Sequence, residues 1–160
     1  VTDPYRPPGS PVRDPQGARP RSTPLAILLG FAVDVGGTMV FSVVAATIAS
    51  ILLVSGGVAP EELARSLAES PTFQLVGLAG GLTCTMLGGY VAARFANRSE
   101  YATAFAVGLA SLVFGEAMVM FSGQTAALWM RLAGDVLVIP AALLGGHVRA
   151  MQKGVAPAAP

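Results

Sequence analysis

The chain has 160 residues, a formal net charge of +1 and only 12% charged residues, about half the roughly 25% of an ordinary soluble domain. Hydrophobic residues make up 53% and mean hydropathy is +0.64, more apolar surface than a soluble core of this size buries, so lipid is the expected solvent. The near-neutral charge excludes the basic face that nucleic acid requires, and the single cysteine, Cys84, excludes an internal disulfide.

Residues 1–24, "VTDPYRPPGSPVRDPQGARPRSTP", are Pro-rich and lack apolar periodicity. Such a segment does not bury enough to offset its ordering entropy, and a disordered tail with polyproline II bias is expected. Its arginines help set topology, and "PYRPP" is a weaker candidate for peptide docking. Val1 is read as a non-AUG start of a bacterial chain with little missing upstream.

A spanning helix needs about 20 apolar residues, and four runs qualify within the transmembrane domain expected over 25–149. The first, 25–54, is broken only by Asp34. It is too long for the apolar region of a signal peptide and reads as a retained span. Twenty uncharged residues, Val35 to Val54, follow Asp34. If they cross the bilayer, Asp34 lies at the inner interface beside Arg94 or Arg98, the favoured placement. If Leu25 marks the inner edge instead, Asp34 lies near mid-membrane. "DVGGT" (Asp34 to Thr38) is similar to the phosphate loop of sugar-kinase and actin-like ATPases, but the apolar run continues past it and no later motif of that fold follows.

Between the first two spans, 60–70 reads as a short external amphipathic helix. Pro60 suits its first position, Glu61 and Glu62 suit the positive end of its dipole, and Leu63 and Leu67 share a face. Lipid contact is its plainer use and partner contact the sharper one.

The second span, 72–93, carries no charge until Arg94. Gly77, Gly81, Thr85 and Gly89 form one row at four-residue spacing, with Gly80, Cys84 and Gly88 in a row beside it. Small residues so spaced let helix backbones approach in lipid, within one chain or between chains. The third span, 101–121, is broken by Glu116. The fourth, 126–148, holds Arg131, Asp135 and Pro140, the last expected to kink it. Residues 150–160 read as a second disordered tail.

Glu116 and Arg131 lie equally far from the turn "SGQT" (Ser122 to Thr125), each about 11 Å along its helix at 1.5 Å per residue. Asp135 is one turn from Arg131 on the same face. A Glu116–Arg131–Asp135 cluster is therefore expected inside the bundle, fixing register or serving as a proton or ion site. Tyr90 and His147 fall at the inner boundary as interface anchors.

"MLGGYVAAR" (Met86 to Arg94) matches "LLGGHVRA" (Leu143 to Ala150), and "GFAVD" (Gly30 to Asp34) matches "AFAVG" (Ala104 to Gly108). Two parallel helical-hairpin repeats are the expected origin of these matches, the first with an amphipathic insertion. Lysine and arginine gather in both tails and in the loop holding Arg94 and Arg98, which places both termini in the cytoplasm.

With its "DPYRPP" start, "GFAVDVGGT" first span and "LGGYVAAR" and "LLGGHVR" helix ends, the chain resembles a loose group of small uncharacterised bacterial inner-membrane proteins. The resemblance implies an all-α protein of four transmembrane helices and no activity. No nucleophile with a base, no metal-spaced His/Cys set and no phosphate loop are present, so no enzyme, cofactor or metal is expected. A packing or accessory subunit, as a homo-oligomer or within a larger membrane complex, is the first expectation. A small proton- or ion-coupled transporter or channel subunit built on the charge cluster is the second.

Overall fold

A computed structural model describes residues 23–96, 99–122 and 128–155. The Pro-rich tail before residue 23, Arg98, most of the "SGQT" turn and residues 156–160 lie outside them. The described chain is all helical: α1 (Thr23–Ser55), a 3-10 turn (Pro60–Glu62), α2 (Leu63–Glu69), α3 (Pro71–Phe95), α4 (Glu100–Ser122) and α5 (Leu128–Val155). Four of these helices are long and apolar enough to cross a membrane, and their outer faces expose Leu, Ile, Val, Met and Phe along the whole bundle. The chain is a multi-pass membrane protein, a four-helix bundle of α1, α3, α4 and α5. The end where α1 begins and α5 stops is termed proximal, and the opposite end distal.

Local chemistry sets the helix ends. Gly57, at φ 89°, takes the left-handed conformation that ends α1, and the amides of Gly56, Gly57 and Val58 donate back to Leu52, Val54 and Leu53 carbonyls at 3.0 Å. The expected external helix is there, split into a 3-10 turn opened by Pro60 and one short α-helix. Its Arg65 donates to Glu69 at 2.8 Å, one turn on, which raises the guanidinium pKa. Pro71 does more than follow this helix: it is the first residue of α3, whose Phe73 amide donates to the Ser70 hydroxyl at 3.3 Å. At the other end of the chain, α5 runs unbroken through Pro140 to Val155. The expected second tail is thus corrected over 150–155, because "AMQK" (Ala150 to Lys153) adds a helical turn of good formers anchored by Lys153 on Glu100.

The helices order around the bundle as α1, α3, α5, α4, with α1 touching α4 to close it and α3 also touching α4. Matched helices are thus neighbours, α3 against α5 and α1 against α4. Glycine sets the distances. A Cβ on Gly88 would stand 2.6 Å from the Gly30 carbonyl oxygen, and one on Gly30 equally close to the Gly88 oxygen, so α1 and α3 cross backbone to backbone. Gly89 meets the Ala142 backbone, and Gly145 meets the Met86 oxygen and the Tyr90 amide. One glycine of each matched pair, Gly89 on α3 and Gly145 on α5, therefore makes the contact between these two helices. Gly146 faces Ala104 and turns α5 onto α4. Only Ala, Gly, Thr, Val and Cys, with Asp34, fill the tightest part of the interior. Large side chains go outward because lipid is no worse a solvent for them than a protein core.

Candidate functional site

In the distal half the close packing ends and a cavity of about 520 Å³ opens among all four spanning helices. Its wall is built from rows of small residues. On α3 these are Gly77, Gly81 and Thr85, and on α4 they are Ser111 and Gly115. A Cβ on Gly77, Gly81 or Gly115 would meet nothing within 4 Å, and one on Gly134 of α5 would meet only the end of Leu78, at 3.8 Å. The expectation that Gly77 and Gly81 pack helices is corrected here: they hold space open. Gly80 lies under the Phe41 ring, a Cβ on Gly37 would stand 3.2 Å from the Cys84 sulfur, and Gly88 and Gly89 make the α1 and α5 crossings.

Asp34 lines this cavity and is 4% exposed. Its Oδ1 accepts the Thr85 hydroxyl at 2.9 Å and its Oδ2 accepts the Ser111 hydroxyl. The Gly81 carbonyl oxygen lies 3.1 Å from the same Thr85 hydroxyl, so its single proton is shared between the two acceptors. Ser111 stands eleven residues from either end of α4, so the trio lies about 17 Å from each end at 1.5 Å per residue. The favoured placement of Asp34, at the inner interface beside Arg94, is corrected: Thr85, its partner, is nine residues before Arg94 on α3, about 13 Å along the helix. The physical reason is that Gly30 and Gly88 fix the α1–α3 crossing, and one turn further along α1 the next inward position is residue 34. Among the described residues no cation pairs with Asp34.

Glu116 and Arg131 do meet. The Arg131 Nε donates to Glu116 Oε1 at 3.0 Å and its Nη2 donates to Oε2, a bidentate pair linking α4 to α5. Asp135 interacts electrostatically with both and turns into the cavity wall. The expected interior location is corrected for the pair. Its side chains are 39% and 34% exposed, three residues from the start of α5 and six from the end of α4. This is the rim of the bundle, where a long guanidinium reaches polar surroundings. Glu116→Gln is accordingly expected to leave the unfolding midpoint in detergent nearly unchanged, because an exposed ion pair contributes little to stability, and a double-mutant cycle with Arg131→Gln is expected to show little coupling.

The proximal end is belted by polar contacts. Tyr90 donates to Gln152 at 2.9 Å, Tyr101 and His147 Nδ1 share a hydrogen bond of 2.7 Å, and Lys153 pairs with Glu100. His147 thus serves as a boundary group bound to Tyr101. Among the described residues no three His, Cys, Asp or Glu side chains gather as a metal site would require.

Ser111, Gly115 and Gly134 escape a reading of the sequence, and Thr85 is read there as a packing residue. A hydroxyl four residues from a glycine recurs on α3 (Gly81, Thr85) and α4 (Ser111, Gly115), and that spacing is the signal that could have marked a polar wall. Comparison with family models, curated proteins and solved structures gave no match for this chain.

Proposed function

We propose that the protein is a non-catalytic membrane subunit that takes up a cation or proton at Asp34, in the manner of a small ion-coupled transporter or channel component. The observation that carries this reading is a carboxylate near mid-span, bound by two hydroxyls and no base, at the wall of a cavity that glycines keep open. A lone charge at that depth costs at least about 2.5–3.5 kcal/mol, and a chain that only needed to pack would do better with an apolar residue. The centre of the site is thus Asp34, with Asp135 also on the cavity wall, and the Glu116–Arg131 pair holds the rim. Arg94, Arg149 and Lys153 gather at the proximal end, which supports a cytoplasmic proximal face in a bacterial inner membrane and a cavity in the opposite half of the bundle.

The test is carbodiimide labelling of the folded protein in mild detergent, mapped by mass spectrometry. A carboxyl that the reagent can reach gives its proton to a carbodiimide nitrogen and bonds through oxygen to the central carbon, forming an O-acylisourea adduct. Labelling concentrated at Asp34 is expected, with its loss in Asp34→Asn. Asp34 unlabelled until the protein is denatured would defeat the reading.

A second reading, assembly with itself or with a larger membrane complex, is favoured by α1. No residue of its most apolar stretch is buried by the rest of the chain, and Val40, Val43, Ile51 and Leu52 are all about two-thirds exposed along its distal half. Cross-linking in native membranes through a cysteine placed at Val43, in a Cys84→Ser background, tests it: discrete adducts are expected for an assembly and none for a helix facing lipid alone.

A further inference from the structure

Resting on the uptake of positive charge at Asp34, we infer that the ligand of this cavity is an organic monocation with an apolar body, not a bare metal ion. Among the described residues, the charged ones lining the cavity are Asp34 and Asp135, and no Lys, Arg or His joins them. The field inside is therefore negative, and an anion is refused. An inorganic cation is poorly matched as well. To shed its water it needs a close shell of oxygens, six to eight for a calcium-sized ion. Around Asp34 stand its own two oxygens and the hydroxyls of Thr85 and Ser111, and those hydroxyls already donate to it.

The remaining wall suits an apolar body. Leu78, Leu82, Leu112 and Val138 present branched aliphatic surface, and Met39, Met118 and Met130 supply flexible, polarisable side chains that adapt to varied shapes. Phe114 adds an aromatic ring, held edge-on by Phe31 with centroids 5.5 Å apart, and rings attract diffuse cations. The volume falls within the range of small-molecule sites, about 300–1,000 Å³. Each Asp34 oxygen uses one lone pair on a hydroxyl and keeps another for a ligand. The mouth matters too. Met39, Gly77, Gly115 and Met118 line the cavity and are exposed on the flank of the bundle, so a lipophilic cation dissolved in the bilayer meets an apolar entrance.

Benzyltrimethylammonium and its neutral carbon isostere neopentylbenzene share a shape and differ in charge, which makes them the probes. In detergent-solubilised protein the cation is expected to bind saturably, at least ten-fold more tightly than the isostere, and to protect Asp34 from carbodiimide. Asp34→Asn should weaken the cation at least ten-fold and leave the isostere unchanged. Gly115→Leu, which fills open space and leaves Asp34 in place, should weaken both. Equal binding of the two probes, or binding of the cation that survives Asp34→Asn, overturns the inference. Asp34 that reacts with carbodiimide but is protected by rubidium and not by benzyltrimethylammonium overturns it while sparing the cation site. Asp34 that never reacts in the folded protein removes the underlying site itself.

Discussion

Gly145→Val is expected to destabilise the bundle by about 3 kcal/mol or more, at or beyond the upper end of ordinary overpacking. The reason lies in what the new side chain would strike. A Cβ there overlaps the Met86 carbonyl oxygen and stands 2.7 Å from the Tyr90 amide nitrogen. Both are backbone atoms inside a regular helix and cannot swing aside as a rotamer does. The whole of α5 must withdraw from α3, which also breaks the reciprocal seat of Gly89 on Ala142. In hydrocarbon, close contact and dispersion are most of what holds helices together, so separation forfeits much of that contact's stabilising energy. Gly77→Ala and Gly115→Ala are the controls, since nothing lies within 4 Å of either added methyl. They should leave stability unchanged or improve it, by up to about 1 kcal/mol of helix propensity. Unfolding by a denaturing detergent, followed by far-UV circular dichroism, reads all three. A Gly145→Val protein as stable as the controls would mean that the α3–α5 crossing is not where these contacts place it.

The same glycines show why some of this molecule is legible in its sequence and some is not. The four spans are read to within a few residues, apart from the end of α5, because hydrocarbon imposes a length and a polarity on every residue of a helix that crosses it. The Glu116–Arg131 pair is legible because a tight hairpin fixes two residues at one depth by counting alone. Asp34 is misplaced by the same counting. Its helix has 33 residues, about 50 Å at 1.5 Å per residue, well beyond the roughly 30 Å of hydrocarbon, so a twenty-residue apolar run within it does not reveal where the bilayer begins. Rotation is harder still. Gly77 and Gly81 look identical to Gly80 and Gly88 in sequence, and one row contacts α1 while the other faces empty space. An apolar helix in lipid has no hydrophobic side to betray its orientation, so only inter-helix contacts distinguish a glycine that closes a gap from one that leaves it open.

Removing both hydroxyls from Asp34 is the sharper trial of the site. The double substitution Thr85→Val and Ser111→Ala is expected to cost about 3–5 kcal/mol, because each hydrogen bond to a charged group is worth about 1.5–3 kcal/mol and the carboxylate is then buried without compensation. Neither change alters the shape of the wall by more than an oxygen. Adding Asp34→Leu to this pair should return most of the lost stability, since an apolar side chain needs no donors and the Gly30–Gly88 crossing beside it is untouched. How closely the triple variant returns to the native midpoint is the informative part. If Asp34 were placed to hold the helices together through its two hydroxyls, the triple variant would stay well below the native chain. If the hydroxyls exist to make a costly carboxylate tolerable, its removal repairs the damage. Recovery of the unfolding midpoint in the triple variant, with no cation bound, would show that the fold bears this charge at a cost, as proteins do where a group is kept for binding. A double variant as stable as the native chain would show instead that Asp34 is neutral or watered through the cavity, and would withdraw the energetic ground on which a charge-bearing site was assigned to it.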